Sequence, residues 1–189
     1  MIIRKPFYYI RHGQTDWNVE GRFQGSKDVP LNETGIAQAH TAKDLLRDLP
    51  ITNIYSSTLQ RARVTADIVN ERLNLPITGM EGLQECNFGV LEGSLRSSKD
   101  YSTGFSHDWR NGITPDKAET YADFTVRVFA AINEVLENEG TPLIVAHGAV
   151  FWPVHAHMQL ELEGSLPNAH PVHLMPPDVG QDRWTLTAI

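Results

Sequence analysis

The sequence predicts a three-layer α/β/α sandwich around a mainly parallel sheet. Strand and helix patterns alternate along the chain, which is how helices come to cover both faces of a parallel sheet. Two short apolar runs, Pro6-Phe7-Tyr8-Tyr9-Ile10 and Pro142-Leu143-Ile144-Val145-Ala146, lack the polar alternation of a half-exposed strand. They read as strands buried on both faces. Each runs straight into a histidine and a glycine: Arg11-His12-Gly13 and His147-Gly148. In open α/β sheets ligands bind outside the carboxyl ends of strands. The chain therefore delivers two histidines to the edge where sites are built.

The elements follow in order. After the first strand comes a polar, glycine-rich loop from Asp16 to Leu31. Asn32 reads as a helix N-cap, with Ile36, Ala39, Ala42, Leu45, Leu46 and Leu49 at helical spacing and Pro50 as a stop. Asn53-Ile54-Tyr55-Ser56 predicts a second strand. Ser57 or Thr58 is then expected to cap a helix with Leu59, Ala62, Ala66, Val69 and Leu73 on one face. Leu75-Pro76-Ile77-Thr78 reads as a short strand. Phe124, Val128, Ala131, Val135 and Leu136 mark a later helix that Gly140 is expected to end. After the His147-Gly148 pair, a short helix over 149–159 contains Pro153, which predicts a late start or a kink. Val172-His173-Leu174 and Trp184-Thr185-Leu186-Thr187 read as closing strands.

Residues 80–118 are the least regular stretch, with Gly82, Gly89, Gly93, Gly104 and Gly112. No repeat, low-complexity tract or linker interrupts the chain. A single domain over 1–189 is expected, with an excursion at about 90–118 covering the site.

Composition narrows the function. The chain has 189 residues, 41% hydrophobic, an ordinary share for a soluble domain. No apolar run approaches the ~20 residues needed to span a bilayer. The N-terminus lacks the apolar centre of a signal peptide, and the lone Cys86 cannot form an intramolecular disulfide, so a cytoplasmic location is the expectation. The net charge of −7 argues against nucleic acid as a partner. It also requires that any anion site be a local concentration of arginine and histidine.

The motifs supply that concentration. Arg11 and His12 are adjacent at a strand end, and arginine offers a planar fork of donors that matches a phosphate. Ser56-Ser57-Thr58-Leu59-Gln60-Arg61-Ala62 places Arg61 in the first turn of a helix, where free N–H groups and the helix dipole already attract anions. His155, His157, His170 and His173 do not fall at a metal-ligand spacing and read as structural or surface residues. No metal or other cofactor is expected.

Taken together these segments resemble the histidine phosphatase superfamily, with its phosphoglycerate-mutase-like fold. The matching stretches are Arg11-His12-Gly13-Gln14-Thr15, Asn18 with Gly21-Arg22-Phe23-Gln24-Gly25, Pro30-Leu31 with Gly35 and Gln38-Ala39, and Ser57 to Ala62 with Thr65-Ala66. Then come Leu83-Gln84-Glu85, Gly89 with Glu92-Gly93, Glu119 with Asp123 and Arg127, His147-Gly148, and Asn168. They run in the family's order over nearly the whole chain.

The resemblance implies roles. His12 is the nucleophile that takes the phosphoryl group. Arg11, Arg61 and His147 bind its oxygens with help from Asn18, and Glu85 protonates the leaving oxygen. Arg22, Gln24 and Gly25 either touch substrate at the entrance or tie down the first loop. Glu92 is expected to support a loop. Trp109, Tyr101 and Phe105 either wall a substrate pocket or form a local core. Thr58, Ala118 and the pair Trp152-Pro153 depart from the family's usual proline, glycine and arginine. Family mutases carry longer basic insertions, whereas 93–118 here offers only Arg96, Lys99, Arg110 and Lys117. The expected activity is therefore a metal-independent phosphatase acting on a small phosphorylated metabolite. A phosphoglycerate mutase and a non-catalytic phospho-ligand binder are the alternatives. The particular ester and the oligomeric state are not legible.

Overall fold

The computed structural model describes residues 1–97, 109–161 and 164–189. A six-stranded sheet organises them, in the order β3-β2-β4-β1-β5-β6. The strands are β1 (Phe7–Arg11), β2 (Asn53–Ser57), β3 (Ile77–Met80), β4 (Pro142–Ala146), β5 (Val172–Met175) and β6 (Thr185–Ala188). The first four pair in parallel, and β5 and β6 add an antiparallel edge. The sheet is thus mainly parallel, as expected. The bounds of Pro142–Ala146 match the sequence reading, and those of the other strands differ by one or two residues.

Helices cover both faces. They are α1 (Asp16–Val19), α2 (Glu33–Leu46), α3 (Gln60–Leu73), α4 (Tyr121–Glu137) and α5 (Phe151–Met158). The pleat of β1 sorts its residues between two cores. Tyr8 and Ile10 pack with Ala42, Leu46, Ala62 and Val69 of α2 and α3. Phe7 and Tyr9 pack with Phe124, Val128 and Ile132 of α4 and with Phe151 and Val154 of α5. Phe7, Tyr9 and Ile10 are fully enclosed, each contributing about 2 kcal/mol of apolar burial.

Local chemistry sets the helix ends, with some departures from expectation. Asn32 caps α2 as predicted, accepting from the Gly35 amide at 2.9 Å. Ile36 and Leu45 are exposed, because Gly35, Ala39, Ala42 and Leu46 make the buried face of α2. Neither Ser57 nor Thr58 is the N-cap of α3. That position is Leu59, which has no side chain to cap with, and the Gln60 amide instead donates to Asp28 Oδ1 at 2.7 Å. Helix α4 ends before Gly140, at Asn138, whose own side chain donates back to Glu134 O. Pro153 sits in the first turn of α5, where its missing N–H costs little.

The turn after β1 lies flat on the start of α2. A Cβ on Gly13 would stand 2.4 Å from Gly35 O, and one on Gly35 would stand 2.0 Å from Gln14 O. Only glycine at both places allows this approach. Gly13 N donates to Thr65 Oγ1 at 3.0 Å and Gln14 N to Gln38 Oε1 at 2.9 Å, so α3 and α2 each hold one amide of the turn.

Part of the excursion expected at 90–118 lies outside the described residues, including Lys99, Tyr101, Gly104 and Phe105. Trp109 is described and is a core residue: it is buried among Phe88, Tyr121, Phe124 and Trp152 and donates from Nε1 to Glu119 O.

Candidate active site

Parallel pairing of β1 with β4 creates the site. Arg11 lies opposite Ala146, and the ladder continues one residue further, His12 N donating to Ala146 O at 2.9 Å. The next residue on each chain is then a histidine. The rings of His12 and His147 stand 5.1 Å apart, centroid to centroid. Both are buried.

The His12 ring has a defined proton. Its Nδ1 lies 2.7 Å from Gly13 O, a carbonyl that can only accept. Nδ1 therefore carries the hydrogen, and Nε2 keeps its lone pair. Burial, then the charges of Arg61 and Arg11, hold the His12 pKa well below the ordinary imidazole value, against a smaller opposite effect of the Gly13 bond. His147 is depressed in the same sense, by burial first and then by Arg61, His12 and the other arginines. Two neutral imidazoles face a pair of fixed cations.

Those cations are tied down by backbone carbonyls. Arg61 donates from Nη1 to Lys27 O at 2.7 Å and from Nη2 to Gly25 O at 2.9 Å. Arg11 donates from Nη1 to Leu166 O at 2.9 Å. Burial penalises both charges, though guanidinium stays protonated. Among the described residues, four buried polar atoms are left without a partner here: Arg11 Nε, Arg61 Nε, His147 Nδ1 and Gln24 Oε1. Buried polar groups are normally paired, and each costs free energy when it is not. Gly148 leaves room beside one of them, since a Cβ there would meet Arg11 Nε at 3.4 Å. An anion is the chemical partner that two guanidinium N–H groups have in common.

Glu85 enters from the other side. Its carboxylate accepts from Cys86 N at 3.1 Å and Ala149 N at 3.3 Å. Burial raises its pKa more than Arg61, those two amides and Arg11 lower it. It therefore keeps a proton further up the pH scale than a free carboxyl.

The open cavity is lined by Arg11, His12, Asn18, Arg22, Gln24 and Glu85, among others. Arg61 and His147 are buried beside His12. Asn18 commits Oδ1 to a capping box with Thr15 and to Asn168 Nδ2, which leaves its amide nitrogen uncommitted among the described residues. Arg22 lines the cavity and ties the first loop to Gly93 O at 2.7 Å. Gln24 is buried with Oε1 unpaired among the described residues. Gly25 is not on the cavity wall; its carbonyl holds Arg61, and Glu92 packs on its Cα. Glu92 accepts from Ser26 N and Phe88 N, which is the loop support expected of it.

A model of the histidine phosphatase superfamily (branch 1) matches residues 7–186. The chain belongs to that superfamily. An uncharacterized phosphatase PhoE of Bacillus subtilis (strain 168) is 35% identical over 169 residues, covering 88% of this chain and 81% of its own. A probable phosphoglycerate mutase GpmB of Yersinia pestis (strain Pestoides F) is 34% identical over 173 residues, covering 82% of this chain and 79% of its own. Among solved structures, a mycobacterial glucosyl-3-phosphoglycerate phosphatase in complex with VO3 superposes with a TM-score of 0.81 at 29% identity, covering 96% of this chain and 97% of that one. The chain is an enzyme of the histidine phosphatase type.

Sequence reasoning missed several residues that shape the site. Arg96 lines the cavity, and Ser57 Oγ touches His147 Nε2 at 2.7 Å. Tyr9 donates from its hydroxyl to His147 O at 2.7 Å. Arg127 donates to Gly82 O and Gln84 O while its fork grips Glu119. Arg127 and Glu119 stood in the family motif, but nothing in it linked them to the segment carrying Glu85.

Proposed function

We propose that this enzyme is a metal-independent phosphomonoesterase that works through a phosphohistidine on His12. The observation that carries the reading is the set of unpaired Nε atoms on two buried arginines beside an imidazole whose lone pair is on Nε2. Phosphoryl transfer needs positioning and charge neutralisation around the transferring oxygens and little covalent help.

Nε2 of His12 attacks phosphorus, and the P–O bond to the alcohol breaks. The departing oxygen takes the proton of Glu85 and leaves as the free alcohol. Water then attacks the phosphohistidine, Glu85 accepts its proton, and phosphate leaves His12 neutral again. Arg11, Arg61 and His147 hold the phosphoryl oxygens through both transfers, with Asn18 as a further donor. The two arginines supply the positive charge that a metal ion supplies elsewhere.

The acceptor is water rather than a second phosphoester because the described mouth offers few cations, Arg22 and Arg96, for gripping another phosphate. The phosphatase names of relatives point the same way, and the mutase name of others marks the alternative fate of the phosphoryl group.

The test is phosphate release from a panel of metabolite esters and nitrophenyl phosphate, with chelator present. Turnover should persist, and vanadate should inhibit competitively as a mimic of the five-coordinate transition state. Loss of activity in chelator with recovery on adding a divalent ion would overturn the metal-independent reading. Transfer to a phosphoglycerate without net phosphate release would make the enzyme a mutase.

A further inference from the structure

We infer that Ser57 is a positioning residue that fixes His147 as the Nδ1–H tautomer, so that the ring presents a donor to the phosphoryl group. The inference rests on the phosphatase reading only for what that donor meets.

The hydrogen bonds around Ser57 decide the proton. Ser57 is buried at the end of β2, and its Oγ has two neighbours. Leu59 N donates to it at 3.2 Å, and His147 Nε2 lies 2.7 Å away. A hydroxyl has one hydrogen to give. If His147 donated from Nε2, Oγ would receive two hydrogens, and its own would have no acceptor among the described residues. If Oγ donates to Nε2 instead, both atoms of that contact are satisfied. Nε2 then carries the lone pair, and the ring hydrogen sits on Nδ1.

That nitrogen is buried and has no partner among the described residues. It shares this condition with the Nε atoms of Arg11 and Arg61. An Nδ1–H group is costly in an empty site beside two cations and favourable once an anion arrives. An Nδ1 lone pair would have the opposite preference and would repel phosphate oxygens. Tyr9 holds the same residue from its backbone side, donating to His147 O at 2.7 Å, so the ring is located at both ends. His147 is neutral at working pH because burial and Arg61 depress its pKa, so it has one ring hydrogen and its placement matters. The resulting division is reciprocal: His12 has its hydrogen on Nδ1 to free Nε2 for attack, and His147 has its hydrogen on Nδ1 to donate.

The test is 15N NMR of the full-length protein labelled in histidine, with the His147 signals assigned by their loss in His147→Gln. In the wild type, Nδ1 of His147 should show the shift of a protonated ring nitrogen, and Nε2 that of an unprotonated one. Ser57→Ala should erase that preference and lower kcat/KM roughly 10- to 100-fold, less than the 10²–10³ lost when an anion-binding donor is removed outright. A wild-type ring protonated on Nε2 would overturn the inference, as would a Ser57→Ala protein that folds and keeps the Nδ1–H form. The wild-type spectrum decides the matter even if the variant does not fold. Because the spectrum needs no substrate, a correct tautomer in a protein that fails to release phosphate would condemn the phosphatase reading alone.

Discussion

Nδ1 of His12 lies 2.7 Å from the carbonyl oxygen of Gly13. The turn that supplies this carbonyl is pinned by Thr65 and Gln38 and pressed on Gly35, so the direction of the bond follows from backbone packing. Its consequence is that the imidazole proposed as nucleophile keeps Nε2 free before substrate arrives.

The first prediction concerns pH. His12 and His147 have pKa values depressed by burial and by Arg61 and Arg11. Below about pH 6.5, the value for an unfolded imidazole, the unfolded chain binds protons that the native site refuses. Stability therefore falls as pH drops below about 6.5, with the loss continuing toward the folded pKa values. Glu85, with a raised pKa, acts oppositely, since its native form keeps a proton that the unfolded chain releases. Urea unfolding at pH 7 and pH 5.5 should show the decrease, and a His12→Gln, His147→Gln double variant should show a smaller one. An equal slope in both proteins would contradict the assignment.

Arg61 should be both functional and structural. Its fork satisfies the carbonyls of Gly25 and Lys27, and Arg61→Ala strands both. The expected cost is about 3 kcal/mol in urea unfolding, from buried acceptors left unpaired, with a large rise in the vanadate dissociation constant. Arg61→Lys keeps the charge but cannot reach both carbonyls in a planar fork, so it should recover little of either. Unchanged stability in Arg61→Ala would show that the two carbonyl bonds contribute nothing.

Glu85 should show itself through the leaving group. An alkoxide needs a proton in the transition state, and a positioned general acid contributes about 10²–10⁴-fold. Glu85→Gln should lower kcat/KM strongly for alkyl phosphates and much less for nitrophenyl phosphate. A uniform loss across esters of graded leaving-group pKa would remove Glu85 from this role.

Arg127 should mimic that signature more weakly. It clamps the carbonyls of Gly82 and Gln84, just ahead of Glu85, while Glu119 holds its other edge at 2.7 and 2.8 Å. Arg127→Met should release the segment and cost up to about 10²-fold on alkyl esters, as displaced catalytic groups do. In a double variant with Glu85→Gln the two losses should not add, because Arg127 acts through Glu85. Additive losses would give it a separate function.

The strand ends were readable because buried parallel strands have an unmistakable apolar run, and both runs stop at His-Gly. Arg11, His12 and His147 could be named as candidates because they sit at those ends, and Arg61 because it lies in the first turn of α3. Other features depend on pairings that sequence order hides. Ser57 meets His147 across ninety residues, and Arg127 reaches back more than forty to hold the segment of Glu85. Helix α3 lacks a cap in its own sequence because Asp28 supplies one from a distant loop. Apolar spacing placed Ile36 and Leu45 inside, but small residues on α2 define the face that meets α3.

The most direct measurement is rapid quench of the enzyme with a 32P-labelled phosphoester, followed by mapping of the label. The expected product is an acid-labile, base-stable adduct on His12, formed and consumed at rates consistent with turnover and absent in His12→Ala. Label on another residue, or turnover in His12→Ala at the wild-type rate, would contradict the assignment of His12 as the nucleophile.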